Sequence, residues 1–126
     1  MAGQYNEVSG LENTRRLLDL PEPPTAIFAG NDVLAIAALD AARERGLRVP
    51  EDLSVVGFDD IPAASLVTPA LTTVFQPLTE IGAQATRLLI DVLDGRPADP
   101  GGVLLEPKLV VRGTTAPPPP SVLSSP

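Results

Sequence analysis

Residues 24–60 read PTAIFAGNDVLAIAALDAARERGLRVPEDLSVVGFDD, and this pattern decides the fold. The run TAIFA at 25–29 is an unbroken β-prone stretch of the kind buried on both faces of a parallel sheet. Gly30 and Asn31 then form a turn. Residues 32–45 are rich in Ala and Leu, carry Arg43 and Arg45 in the last turn and stop at Gly46, the signature of a helix laid over the sheet. Pro50, Glu51 and Asp52 turn the chain into LSVVGF at 53–58, a second apolar strand that ends abruptly at Asp59 and Asp60. Strand, helix, strand implies a right-handed parallel crossover.

Working outward, residues 9–20 open with the capping-box spacing of Ser9 and Glu12. They place Leu11, Thr14, Leu17 and Leu18 on one face, and Pro21 stops the helix. On the other side, residues 61–70 hold Pro62 and Pro69 and show no period, and LTTVF at 71–75 reads as a short strand or extended link. From 78 to 93 the apolar residues Leu78, Ile81, Ala85, Leu88, Leu89 and Val92 fall at helical spacing, with Pro77 ahead and Gly95 behind. Such a stripe is the mark of a core-facing helix rather than of a cofactor site. Two short strands are expected at 103–105 and 109–111, and residues 116–126 form a Pro and Ser tail that is expected to be disordered.

The chain has 126 residues, 44% apolar and 20% charged, which suffices for one modest core and not for two independent domains. Of its 15 prolines, four stand together at 117–120, so the excess is partly local. The absence of Cys and His removes disulfides, thiolate or imidazole metal sites and every triad with a histidine base. A net charge of −7 opposes both nucleic-acid phosphates and anionic membrane surfaces, so this segment alone is not expected to grip DNA. No apolar run approaches membrane-spanning length, and the first residues lack the pattern of a secretion signal; a cytoplasmic protein without a membrane partner is expected.

In an open α/β sheet the ligand crevice lies outside the carboxyl ends of the strands. Asn31 and Asp32 follow the first strand; Asp59 and Asp60 follow the second. An amide that both donates and accepts, beside a carboxylate that accepts twice, suits vicinal hydroxyls such as those of a sugar. The plainer alternatives stay open: Asn31 and Asp32 as caps of the next helix, and Asp59 and Asp60 as a solvated turn. Enzyme readings fare worse. A phosphoryl-accepting receiver needs a lysine at a later strand end, whereas the single lysine, Lys108, precedes its strand. No nucleotide phosphate loop occurs, and adjacent aspartates do not supply the spaced pair of a glycosidase. A non-enzymatic binding module with no cofactor and no metal is expected.

Residues 24–60 together with PALTTVFQPLTEIGAQATRLLIDVLDG at 69–95 resemble the C-terminal part of LacI/GalR-type transcriptional regulators, over residues 9–115. The resemblance implies an α/β, parallel-sheet, periplasmic-binding-protein-like (type I) core fragment, mainly the C-terminal subdomain. Residues 1–75 and 107–115 would belong to that subdomain, and residues 76–106 to the N-terminal one. Position by position, Asn31 and Asp59 match residues that bond effector hydroxyls. Phe58 matches an aromatic beside that acid, and Gln76 lies where the chain passes the cleft. Asp32 and Asp60 match positions that cap a helix or hold a turn. The implied function is the effector-sensing part of a repressor whose ligand is a sugar, nucleoside or related small metabolite. The intact family is a homodimer that reaches operator DNA through an N-terminal helix-turn-helix not found in this sequence. The alternative is the solute-binding component of a sugar ABC importer, which shares the fold and would carry a secretion signal.

Overall fold

The computed structural model describes residues 5–97 and 101–120. The elements run α1 (Glu7–Leu18), β1 (Ala26–Phe28), α2 (Asp32–Glu44), β2 (Ser54–Asp59), α3 (Pro62–Leu66), β3 (Thr72–Phe75), α4 (Leu78–Leu93) and β4 (Lys108–Val110). The strands form one sheet in the order β1-β2-β3-β4. Ile27 lies opposite Val55 and Phe58 opposite Val74 in parallel pairs; Val74 lies opposite Leu109 in an antiparallel one. The sheet is therefore parallel through β3 and reverses only at β4, which brings the chain back after its excursion through α4.

The core is built on small side chains. α2 buries Ala35, Ala37, Ala38, Leu39, Ala41 and Ala42, and the alanine face lets the helix settle close to Leu53, Val55, Ala64 and Leu71. α1 crosses α2 at Gly10, where an added Cβ would stand 2.7 Å from the Cβ of Ala37, closer than two carbons can approach. At the surface the same two helices are clipped by Arg15, which donates to both oxygens of Glu44 at 2.9 and 2.8 Å, and by Arg45 on Asp19 at 2.6 Å. These exposed pairs set the crossing more than they stabilise it, each contributing at most ~1 kcal/mol.

Several local expectations are corrected. The cap of α1 is Asn6, whose Oδ1 accepts from the Ser9 amide at 2.9 Å; an extended Asn ahead of the helix takes the orphan donor, and Ser9 falls inside the first turn. β1 is not buried on both faces: it is the outer strand of this sheet, Ile27 packs against the core, and Phe28 remains 66% exposed. Residues 61–70 contain the short helix α3, started by Pro62 and pinned by buried Ala64, whose carbonyl accepts from the Leu71 amide at 2.8 Å. No strand forms at 103–105. Those residues run beside α4, where Val103 and Leu105 face Ile81, Ala85 and Leu88 across a hollow of about 300 Å³, and a helix offers a strand no ladder. Of the tail, Ala116 is held by Ser54, its amide donating to Ser54 Oγ at 3.1 Å and its carbonyl accepting at 3.1 Å. The expectation for residues 121–126 lies outside the described residues.

The turn into β2 contains a strong local pair. Asp52 accepts from the Arg48 amide and Nε at 2.8 Å and from Nη2 at 2.7 Å. These bonds to Arg48 pull the Asp52 carboxyl down to about 2. A lowered carboxylate pKa stabilises the turn above the unfolded value of about 3.9, and the contribution fades as pH falls towards 2. NMR titration of the Asp52 carboxyl carbon should give a midpoint near 2 in the wild type and a higher one in Arg48→Ala, which loses the side-chain bonds and keeps the backbone one; equal midpoints in the two proteins would refute the side-chain pair.

Candidate functional site

The carboxyl ends of β1, β2 and β3 lie side by side, so the loops that follow them converge at one edge of the sheet. After β1, Asn31 takes an extended conformation and its Oδ1 accepts from the Leu34 amide at 2.9 Å, capping α2. That bond uses one oxygen and leaves the Nδ2 amide without a partner among the described residues. Asp32 is fully buried. Its Oδ2 accepts from the Ile61 amide at 2.8 Å and its Oδ1 from the Thr73 hydroxyl at 2.5 Å. It is Asn31, then, that caps α2 with its side chain, while Asp32 reaches across to the turn after β2 and to β3.

That turn is sharp. Asp59 and Asp60 adopt φ of 108° and 56°, the left-handed region that disfavours side chains, so both are held there by tertiary bonds. Gln76 Nε2 donates to Asp59 Oδ1 at 2.7 Å, tying the end of β2 to the residue after β3. Asp60 pairs with Arg112 at 2.7 Å, with both side chains about four-fifths buried (18% and 21% exposed), and Arg112 also donates to the Leu71 carbonyl at 2.9 Å. Arg112 is a residue that sequence reading missed: it follows β4, fifty-two positions from its partner, and no spacing announces it.

Asp59, Asp60 and Gln76 line one wall of an open cleft of about 460 Å³, whose other wall is the start of α4 at Leu78, Thr79 and Glu80. Asn31 and Phe58 do not line it. Asn31 sits at the neighbouring strand end. Phe58 packs edge-on against Phe28, ring centres 6.4 Å apart at 74°, on the face of the sheet. The structure thus brings Asp59 and Gln76 together and leaves Asn31 and Phe58 outside the cleft that they line. A second hollow of about 250 Å³ lies between α1, β1 and α2, lined by Asn13, Thr14, Phe28, Gly30 and Leu34.

Chemically, the strand-end cleft offers the second oxygen of Asp59 and the amide oxygen of Gln76 as acceptors, with the Asn31 amide as a donor nearby. Donors and acceptors of these kinds can pair with hydroxyl groups. Among the described residues no cluster of three acidic side chains is placed to hold a metal ion, and no helix is long and apolar enough to cross a membrane.

Residues 2–115 match a family model described as a periplasmic binding protein-like domain. The HTH-type transcriptional repressor CytR of Escherichia coli (strain K12) is 44% identical over 113 residues, covering 90% of this chain and 33% of the repressor. Among solved structures, a LacI family transcriptional regulator from Bifidobacterium animalis subsp. lactis superposes with a TM-score of 0.86 at 34% identity, over 94% of this chain and 43% of that one. A complex of the transcriptional regulator CelR with cellobiose does so with a TM-score of 0.83 at 40% identity, over 89% of this chain and 34% of that one. The chain therefore spans about a third of the length of the curated relative it matches. The LacI/GalR resemblance and the periplasmic-binding-protein-like α/β fold both stand, and the relatives named above are a transcriptional repressor and two transcriptional regulators.

Proposed function

Because the chain belongs to the periplasmic binding protein-like domain family, we propose that it is the effector-sensing portion of a LacI-type repressor and that it binds a sugar or a related small metabolite such as a nucleoside. The observation that carries this reading is the Asp59 and Gln76 pair, 2.7 Å apart at the mouth of a cleft and each keeping an oxygen for a ligand hydroxyl. Asn31 adds a donor from the next strand end, and Phe58 with Phe28 supplies an apolar surface beside it. Asp32 supports the loops from the interior, and Asp60, on the cleft wall, has its carboxylate engaged by Arg112 and holds the turn. The cellobiose bound by CelR is in keeping with a saccharide as ligand class.

In this reading residues 1–75 and 107–115 form the C-terminal subdomain, and residues 76–106 are a segment of its N-terminal counterpart. The exposure of α4 supports the division: the helix departs directly after Gln76 and none of its residues is buried. A regulator built this way works in the cytoplasm as a homodimer and meets operator DNA through a separate helix-turn-helix, since a segment with net charge −7 repels phosphates.

The test is calorimetric titration of the chain with cellobiose, glucose, ribose and adenosine. At least one is expected to bind. Asn31→Ala and Asp59→Ala should each weaken that binding by about 1 to 3 kcal/mol, the usual cost of an unpaired polar group, and Asp60→Ala by less than Asp59→Ala. Wild-type affinity in the Asp59 variant would remove that residue from the site.

A further inference from the structure

Asp32 is buried with no cation paired to it among the described residues, and both its oxygens are committed to backbone and side chain far along the chain. A group so placed could serve stability alone. Its two partners argue for more. The Ile61 amide belongs to the residue directly after the left-handed pair Asp59 and Asp60, and Asp32 itself directly follows Asn31. One carboxylate is thus the crossbar between the two loops that carry the proposed ligand contacts. The Thr73 hydroxyl braces that crossbar from β3, the strand that leads to Gln76. The packing reserves room for it: a Cβ at Gly57 would stand too close to Asp32 Oδ1 for both to remain.

We infer that Asp32 is a positioning residue, which sets the distance between Asn31 and Asp59 by holding the Ile61 amide. The inference rests on the proposed site for its functional meaning, and on the two hydrogen bonds for its geometry. Without the bond to Ile61, the turn loses one of the ties that keep Asp59 and Asp60 left-handed, beside those from Gln76 and Arg112, and the Asp59 carboxylate drifts from Gln76. Without the bond to Thr73 alone, the fold loses stability while the turn keeps its shape.

The experiment compares Asp32→Ala, Asp32→Asn and Thr73→Val in the full chain, by thermal unfolding, by amide exchange of Ile61, and by the amide resonances of Asp59 and Asp60. Asp32→Ala and Thr73→Val should both unfold at lower temperature. Only Asp32→Ala should expose the Ile61 amide to exchange and move the Asp59 and Asp60 signals. Asp32→Asn keeps an acceptor for Ile61 and a donor for the Thr73 oxygen, so it should restore both readouts. If the alanine variant does not fold, Asp32→Ser, which retains a small polar group, takes its place with the same expectations. Titration with the saccharide that binds best should show a loss of about tenfold or more in Asp32→Ala and wild-type affinity in Asp32→Asn. Asp59 and Asp60 signals that respond equally to Asp32→Ala and Thr73→Val would reduce Asp32 to a stability residue and overturn the inference. If no saccharide or nucleoside binds the wild type, the site reading fails, while the amide comparison still decides whether Asp32 sets the turn.

Discussion

Replacing Gly57 by alanine is expected to cost about 3 kcal/mol or more, enough to unfold a domain of ordinary stability in part or whole. The added Cβ meets Asp32 Oδ1 well inside contact distance and Leu71 Cδ2 at 2.9 Å, with the Ala35 Cβ at 3.2 Å closing the third side. None of the three can yield freely. Ala35 lies on α2, Leu71 is fully buried, and moving Asp32 breaks the bonds to Ile61 and Thr73 and leaves a buried carboxyl without donors. Chemical denaturation of Gly57→Ala should show the loss directly. Gly82→Ala provides the control, because a Cβ there meets nothing within 4 Å and α4 would gain helix propensity. Equal stability of Gly57→Ala and wild type would mean that β2 and α2 do not meet closely at Gly57.

The second large effect concerns α4. Leu78, Ile81, Leu89, Ile90, Val92 and Leu93 are between 38% and 76% exposed, and no residue of the helix is buried. An apolar face of roughly 300 to 400 Å² left in water forgoes on the order of 7 to 10 kcal/mol of burial free energy at about 25 cal/mol per Å². That rivals the whole stability of a typical domain, about 5 to 15 kcal/mol. The chain by itself should therefore bind dyes for apolar surface, unfold over a shallow urea transition and elute as oligomers. Leu89→Glu with Val92→Lys should reduce dye binding and oligomers, since it removes apolar surface and no core contact. A monomer with a sharp two-state transition and no dye binding would show that the helix has found cover.

What the amino-acid pattern announces and what it hides follow a physical division. The bounds of α4 are legible because its apolar residues repeat at three and four positions between Pro77 and Gly95, a signal carried wholly by neighbours in sequence. β2 is legible because an apolar run meets two aspartates. The outer position of β1 is not, since TAIFA reads the same whether or not another strand lies beside it, and exposure of Phe28 is a property of the sheet. α3, five residues long, is too short to show a period.

The candidate site divides the same way. Asn31 and Asp59 are found by their places at strand ends, and Gln76 by the family resemblance. Their arrangement is set by bonds that span the chain: Asp32 to Thr73, forty-one positions apart, Asp59 to Gln76, seventeen, and Asp60 to Arg112, fifty-two. The separation of roles between neighbouring residues is likewise tertiary. Asn31 caps a helix that Asp32 was equally suited to cap, and the turn after β2 and the position of β3 together draw Asp32 away.

The most direct test of a hydroxyl-binding site at these strand ends is chemical-shift mapping of the chain titrated with cellobiose, glucose, ribose and adenosine. The side-chain amide of Gln76 is the principal reporter, because its hydrogen bond to Asp59 is the one a ligand hydroxyl must join or replace. The expected result is saturable movement of the Gln76 side-chain amide, the Asn31 side-chain amide and the backbone amides of Asp59 and Asp60 by at least one of the four. Movement confined to the hollow between α1 and α2, at Asn13, Thr14 and Gly30, or no saturable movement anywhere, would contradict it.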